Sequence, residues 1–151
     1  MSGPALRIDG RLVTSQAFYA AACDPARSVV VEACAGSGKT WMLVARMLRA
    51  LLEGAEPHEL LAITFTRAAA GEMRDRLAEW VAQWAAPRST HEERVAALVA
   101  RGLDASRAEA LAPRLGEFAD RMIEQSKQNG SKSGDAKKTV NLGKPVDLDK
   151  S

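Results

Sequence analysis

The segment from residue 28 to residue 53 constrains the fold of this chain more than any other part of it. It begins with residues 28–33, SVVVEA, whose three consecutive valines predict a strand that is buried on both faces. A glycine-rich loop follows, and residues 39–53 then place apolar side chains at helical spacing. The predicted apolar stripe comprises Leu43, Val44, Met47, Leu48, Leu51 and Leu52, opposite Arg46, Arg49 and Glu53.

A second strand and helix follow directly. Residues 60–65, LLAITF, are apolar and predict another buried strand. Residues 67–84 predict a helix with an apolar face made of Met73, Leu77, Trp80 and Val81. Because successive strand–helix units are typical of parallel sheets with right-handed crossovers, we expect an α/β fold with parallel strands.

The loop between the first strand and the first helix has the residues of a phosphate-binding loop. The P-loop pattern is met everywhere except at its first position, where Ala33 replaces the usual glycine. Small residues let successive N–H groups point at a phosphate, and the N-terminus of the following helix favours negative charge. A chance glycine–serine turn would not explain the apolar run before the loop or the amphipathic helix after it. The predicted ATP-binding residues of the loop are Ala33, Cys34, Ala35, Gly36, Ser37, Gly38, Lys39 and Thr40.

Lys39 and Thr40 are the two loop residues with expected chemical roles, and they are the predicted catalytic residues. The ammonium group of Lys39 would reach the β- and γ-phosphates of ATP, and the hydroxyl group of Thr40 would ligate Mg²⁺. Thr40 is therefore the predicted metal ligand, and ATP and Mg²⁺ are the expected cofactors.

A second motif, TFTR, stands at the carboxyl end of the second predicted strand. Open α/β sheets bind their ligands at that edge. Thr64 and Thr66 can donate to phosphate oxygens, Phe65 can stack on a base, and Arg67 adds positive charge. A strand end with capping threonines would explain TFTR alone, so its interpretation as a site for single-stranded DNA depends on its context.

The two motifs together supply that context. GSGKT followed by AITFTRAAAGEM resembles motifs I and Ia of the UvrD/Rep-like superfamily 1 DNA helicases, and within them the helicase–nuclease subunits of the AddA and RecB kind. The resemblance covers about residues 12–118 and implies the RecA-like fold of P-loop NTPases. It also implies that Gln16 reads the adenine edge, where an amide can pair with N6 and N7. Trp41 and Arg67 depart from the arginine and asparagine that are frequent in the family.

The resemblance implies ATP-driven translocation on DNA in double-strand break repair. The expected partners are single-stranded and double-stranded DNA, and in full-length proteins a second helicase–nuclease subunit. The sequence has no aspartate–glutamate pair at the end of an apolar run to hold Mg²⁺ and orient water, and no recognisable second motor domain or nuclease motif. We therefore expect a truncated helicase chain that is inactive alone. A non-catalytic nucleotide-binding fragment and another small P-loop NTPase are the alternatives.

The character of the sequence changes after the second helix. Residues 88–124 predict a helical insertion, and residues 125–151 have little to bury, which predicts a disordered tail. Every basic residue after Arg121 is a lysine, whereas Lys39 is the one lysine before that point. This shift favours a truncated or frameshifted end over a natural solubilising tail. Residues 1–87 are then the expected ATP-binding portion.

Composition argues against several other classes of protein. No apolar run is long enough to span a bilayer, and the first residues lack a secretory signal, so we expect a cytoplasmic protein without membrane association. Cys23 and Cys34 have neither the number nor the spacing of a disulfide framework or a metal site. Both are expected to be reduced thiols.

Overall fold

The computed structural model describes residues 5–85 and 87–130, and helices dominate this helix-rich α/β arrangement. The elements are β1 (Arg7–Ile8), β2 (Arg11–Leu12), α1 (Ser15–Ala22), α2 (Lys39–Leu52), a short 3-10 helix (Pro57–Glu59), α3 (Arg67–Trp84), α4 (His91–Ala100) and α5 (Ala105–Gly130). Nowhere in these described ranges is a helix both long and apolar enough to cross a membrane.

The strands β1 and β2 form an antiparallel hairpin in which Arg7 pairs with Leu12. The two residues between them, Asp9 and Gly10, have φ angles of 49° and 79°. An Asp-Gly pair suits a tight two-residue hairpin turn, because both residues must adopt positive φ. The guanidinium group of Arg7 donates to the carbonyl oxygen of Gly10 at 2.8 Å and closes the turn.

Threonines begin three of the helices. The hydroxyl oxygens of Thr14, Thr66 and Thr90 accept from backbone N–H groups three residues later, at 3.2, 3.1 and 3.2 Å. Each bond satisfies a first-turn donor that has no partner within its helix. Glu93 returns the contact to the backbone of Thr90 and completes a capping box at the start of α4.

The hydrophobic core lies among α2, α3, α4 and α5, with α4 and α3 both packed on α5. Its largest fully buried side chains are Leu48, Leu77, Leu98, Leu103, Leu115, Val44, Val81 and Cys23. The predicted apolar face of α3 is confirmed, since Met73, Leu77, Trp80 and Val81 are all buried. The predicted face of α2 is rotated: Leu43 is 48% exposed, while Arg49 is buried beside Glu53.

The two buried parallel strands that the sequence predicts are not formed in this structure. Residues 28–33 and 60–65 are not strands, and the β1–β2 hairpin is the one sheet of the described residues. Their apolar side chains are largely exposed; Val30 is 92% and Ile63 77% exposed. A parallel strand requires a hydrogen-bonded neighbour and cover on both faces. Within the described part of the chain, neither segment has a neighbouring strand.

The predicted helical region after residue 88 forms α4 and α5. The second of these helices continues to Gly130, past the position where the tail was expected to begin. Residues 131–151 of the predicted tail lie outside the described residues, and the division into three regions remains a prediction.

Candidate nucleotide and DNA sites

The predicted phosphate loop is an exposed turn that directly precedes α2. Gly36 and Gly38 have φ angles of 75° and 86°, in the left-handed region that favours glycine. No heavy atom lies within 4 Å of the place where a Cβ atom would stand on either residue. These two positions therefore use the conformational freedom of glycine and leave open space on the loop.

The N-terminus of α2 begins at this loop. Gly38 occupies the N-cap position and has no side chain to accept from the first-turn N–H groups. These amide groups and the helix dipole together favour an anion. The phosphate-binding role of the loop stays a prediction.

The side chain of Lys39 folds back over the loop that precedes it. Its Nζ donates to the carbonyl oxygens of Ala33 at 3.0 Å and Cys34 at 2.6 Å. The N–H group of Ser37 also donates to the Cys34 carbonyl, at 3.3 Å. An ammonium group has three donors, so two loop contacts leave one for a ligand. Lys39 is therefore held at the loop rather than extended into solvent.

Thr40, half-buried in the first turn of α2, is the predicted magnesium ligand. No group of three or more His, Cys, Asp or Glu side chains that could hold a metal ion occurs among the described residues. Thr40 offers one hydroxyl oxygen, and Mg²⁺ commonly takes its other ligands from substrate phosphates and water, so the residue fits the predicted role.

Gln16 lies in the first turn of α1 and makes a contact that sequence reasoning missed. Its Nε2 donates to the carbonyl oxygen of Leu103 at 3.1 Å. The two residues are 87 positions apart in the chain. Since Leu103 lies between α4 and α5, this bond joins the predicted adenine-reading residue to the predicted helical insertion.

Further contacts tie α1 and the residues just after it to α2, and the sequence pattern did not single them out. The guanidinium group of Arg46 donates to the carbonyl oxygens of Ala22 and Asp24, at 3.2 and 2.5 Å. The rings of Tyr19 and Trp41 meet edge to face with centroids 5.2 Å apart. The helix that carries Gln16 is thus packed on the helix that follows the phosphate loop. An arginine among apolar neighbours and an aromatic residue beside a P-loop were the available signals.

Trp41 also belongs to an aromatic cluster around one buried arginine. The guanidinium carbon of Arg101 lies 5.3, 3.8 and 4.6 Å from the ring centroids of Trp41, Trp80 and Trp84. Burial lowers the pKa of Arg101 to about 10, opposed by Cys23 nearby. The rings supply electron-rich faces to a cation that has no carboxylate partner in the described part of the chain.

The predicted DNA-binding residues lie at the start of α3, in an exposed position. Phe65 is fully exposed, and Arg67 is exposed in the first turn of the helix. The hydroxyl oxygen of Thr66 accepts from the N–H group of Ala69 as a helix cap, while Thr64 is half-buried. The segment can therefore offer an aromatic face and a positive charge to a ligand, although residues 60–65 before it do not form the expected strand.

Comparison with known proteins shows which family the sequence resembles. The UvrD/REP helicase N-terminal domain matches residues 13–141. The chain is 50% identical over 54 residues to an ATP-dependent helicase/nuclease subunit from Lactobacillus helveticus, covering 36% of this chain and 4% of that protein. It is 53% identical over 49 residues to the protein of the same name from Latilactobacillus sakei, covering 32% of this chain and 6% of that protein.

The chain thus spans a small fraction of the length of the curated relatives that it matches. No solved structure matches it. The family match covers most of the sequence and includes the phosphate loop, Gln16 and the TFTR segment. The chain therefore belongs to the UvrD/REP helicase N-terminal domain family.

Proposed function

We propose that this chain binds ATP–Mg²⁺ and single-stranded DNA as part of a DNA helicase that acts in double-strand break repair. The observation that carries the proposal is the phosphate loop. Its two left-handed glycines precede the uncapped N-terminus of α2, and the ammonium group of Lys39 is held over it. The names of the relatives, which describe ATP-dependent helicase/nuclease subunits, support the same activity.

Each predicted residue has a defined task in this proposal. The amide groups of residues 33–40 bind the phosphates, and Lys39 gives its remaining donor to the β- and γ-phosphate oxygens. The hydroxyl group of Thr40 ligates Mg²⁺, and Gln16 binds the base. When bound, Mg²⁺ neutralises charge that develops on the phosphates.

The TFTR segment would bind single-stranded DNA. The exposed ring of Phe65 offers a stacking surface for a base, and Arg67 attracts the backbone. For the assembly in which such a chain acts, we add double-stranded DNA and a partner helicase–nuclease subunit, because the matched relatives are named as subunits.

We propose further that residues 28–33 and 60–65 become parallel strands only when other strands pair with them. The exposure of Val30, Leu61 and Ile63 supports this, since apolar side chains in extended segments gain free energy when they are covered. Amide hydrogen exchange should be fast at both segments in the chain alone. Slow exchange there would contradict the proposal.

The chain alone is proposed to bind ATP without hydrolysing it. Phosphoryl transfer to water requires a positioned nucleophile and stabilisation of charge on the γ-phosphate. Lys39 and Thr40 supply part of this, but the sequence offers no aspartate–glutamate pair at a strand end. Groups supplied by the rest of a helicase would complete the reaction.

Titration with a fluorescent ATP analogue in the presence of Mg²⁺ tests the nucleotide site. Lys39→Ala should weaken binding by about 10- to 100-fold or more, because charge-assisted contacts are worth about 1.5–3 kcal/mol each. Lys127→Ala is the matched control, since this exposed lysine contacts Glu124 in α5. Equal affinity of the wild type and Lys39→Ala would remove Lys39 from the site, and no binding by the wild type would refute the function.

A further inference from the structure

The turn between α4 and α5 contacts α1, which carries Gln16, and α2, which follows the predicted phosphate loop. This turn consists of Arg101, Gly102 and Leu103. The carbonyl oxygen of Leu103 accepts from Gln16 on α1, and the guanidinium group of Arg101 lies against Trp41, the residue after Thr40. Nothing in the TFTR or P-loop motifs accounts for these contacts.

The bond to Leu103 determines which way the carboxamide of Gln16 faces. A carbonyl oxygen can only accept, so the atom of Gln16 that faces Leu103 must be the amide nitrogen. That nitrogen carries two protons, and the bond to Leu103 uses one of them. The oxygen Oε1 and the second N–H group are then left for a ligand, and their positions relative to the protein are fixed.

Close packing holds the Leu103 carbonyl in place. Gly102 has a φ angle of 88°, and a Cβ atom on it would collide with the backbone carbonyl group of Tyr19. Only glycine allows the turn to approach α1 this closely. Leu103 is 1% exposed. Its backbone N–H group donates to the carbonyl oxygen of Leu98 at 3.3 Å.

We propose that the α4–α5 turn is a positioning element for base recognition, in which the Leu103 carbonyl orients Gln16 so that it selects adenine. The inference rests on the proposed ATP-binding function and deepens it. In the fixed orientation, Oε1 accepts from the 6-amino group of adenine while the second N–H group donates to N7. A carboxamide released from Leu103 would be free to turn both protons of its NH2 group toward O6 and N7 of a 6-oxo purine, which both accept.

Inosine triphosphate is the probe that isolates this effect, because it has the triphosphate and sugar of ATP but carries an oxygen at position 6. The wild type should bind Mg-ATP about tenfold more tightly than Mg-ITP, as expected for the loss of one hydrogen bond. Gln16→Ala should reduce this ratio to about one, since it removes the group that distinguishes the two bases. Dissociation constants for both nucleotides are the measurement.

Gly102→Ala tests the turn itself. The added methyl group would collide with Tyr19 and separate the turn from α1, so the ATP-to-ITP ratio should fall to that of Gln16→Ala. In the double variant Gly102→Ala/Gln16→Ala the ratio should fall no further, because both changes act through one contact. Gly71→Ala is the matched control, since a Cβ on this α3 glycine meets no atom within 4 Å, and it should keep the wild-type ratio.

The affinities of the wild type test the proposed ATP binding, and the ATP-to-ITP ratios test the role of the turn. Failure of the wild type to bind either nucleotide would overturn both. Tight binding of ATP and ITP with equal affinity, or a wild-type ratio in folded Gly102→Ala, would overturn the inference alone. Circular dichroism shows whether Gly102→Ala folds.

If Gly102→Ala does not fold, NMR of the wild type without nucleotide tests whether Leu103 holds the carboxamide of Gln16. One carboxamide proton of Gln16, assigned by its absence in Gln16→Ala, should exchange with water about tenfold more slowly than those of the exposed Gln83, because it is donated to Leu103. Equal exchange rates would refute the proposal.

Discussion

The guanidinium carbon of Arg101 lies 3.8 Å from the centre of the Trp80 ring, and both side chains are buried in the helical core. One Nη atom donates to the carbonyl oxygen of Ala97 at 2.6 Å, while Nε has no partner among the described residues. Burial removes water from the guanidinium group of Arg101, which destabilises its charged form and lowers its pKa to about 10. The stacking and the charged hydrogen bond act in the opposite direction.

The balance at Arg101 predicts the effect of replacing it. A pKa shift of this size corresponds to a cost of about 3 kcal/mol for the charged form. Cation–π contacts worth about 0.5–2 kcal/mol each and a charged hydrogen bond worth about 1.5–3 kcal/mol exceed that cost. Arg101→Met should therefore lower the free energy of unfolding by about 1–2 kcal/mol. Arg101→Lys should lower it further, because ammonium is more strongly hydrated and cannot stack.

Urea denaturation followed by circular dichroism at pH 7 measures both variants. A folded-state pKa below the unfolded one means that the charged group costs stability throughout the range below about pH 10, and that the cost fades as the pH rises through that value. A methionine variant more stable than the wild type would show that desolvation dominates at this site.

The two cysteines should differ in reactivity towards a maleimide. Cys34 is exposed in the phosphate loop, whereas Cys23 is fully buried and burial raises its thiol pKa. Because the thiolate is the reactive form, Cys34 should be labelled and Cys23 should not. Mg-ATP at ten times its dissociation constant should slow labelling of Cys34 about tenfold, in proportion to the free fraction.

Mass spectrometry of labelled peptides provides that measurement. The variant Lys39→Ala serves as its control, since weak nucleotide binding should leave Cys34 unprotected. Protection of Cys34 by ATP in this variant as well, or faster labelling of Cys23 than of Cys34, would contradict the prediction.

Phe65 should contribute to binding of single-stranded DNA without contributing to stability. Its side chain is fully exposed, so Phe65→Ala should not change the unfolding midpoint. Loss of a base-stacking ring should weaken binding of an oligothymidine by about 1–3 kcal/mol, roughly 5- to 150-fold. Fluorescence anisotropy of a labelled oligonucleotide measures this. Ile63→Ala, which removes an exposed side chain from the same segment, is the control, and an equal loss in both variants would refute a stacking role.

The isolated chain should show no DNA-stimulated ATP hydrolysis and no unwinding. An arginine from a second domain can be worth about 10³–10⁵ in rate, and the sequence lacks a recognisable carboxylate pair to fix Mg²⁺ and water. A coupled ATPase assay with and without single-stranded DNA is the measurement. Turnover that DNA stimulates and Lys39→Ala eliminates would show that the chain, or a second copy of it, supplies the missing groups.

Local features of this chain could be predicted from its sequence. The turn at the glycine-rich loop and the buried face of α3 follow from residue type and spacing. On α2, periodicity predicted an apolar stripe but not which edge of it faces the core, so Leu43 is exposed and Arg49 buried. Helical periodicity does not specify the neighbours that decide this rotation.

Non-local features could not be predicted. The apolar runs at residues 28–33 and 60–65 have the composition of buried strands, but a strand exists only where another strand pairs with it. The contact between Gln16 and Leu103 joins residues 87 positions apart, and no local pattern encodes it. The family position of Gln16 therefore indicates a role for this side chain but not the contact that holds it.

The aromatic cluster around Arg101 determines the intrinsic tryptophan fluorescence of this chain. All three tryptophans of the chain lie against the same guanidinium group, with neighbouring ring centroids 5.7 and 5.8 Å apart, so excitation energy passes readily among them. Trp41 is covalently joined to Thr40 and thus to the phosphate loop. Tryptophan emission from the unlabelled chain consequently comes from one location, and we expect a movement of the loop that shifts Trp41 to change its intensity.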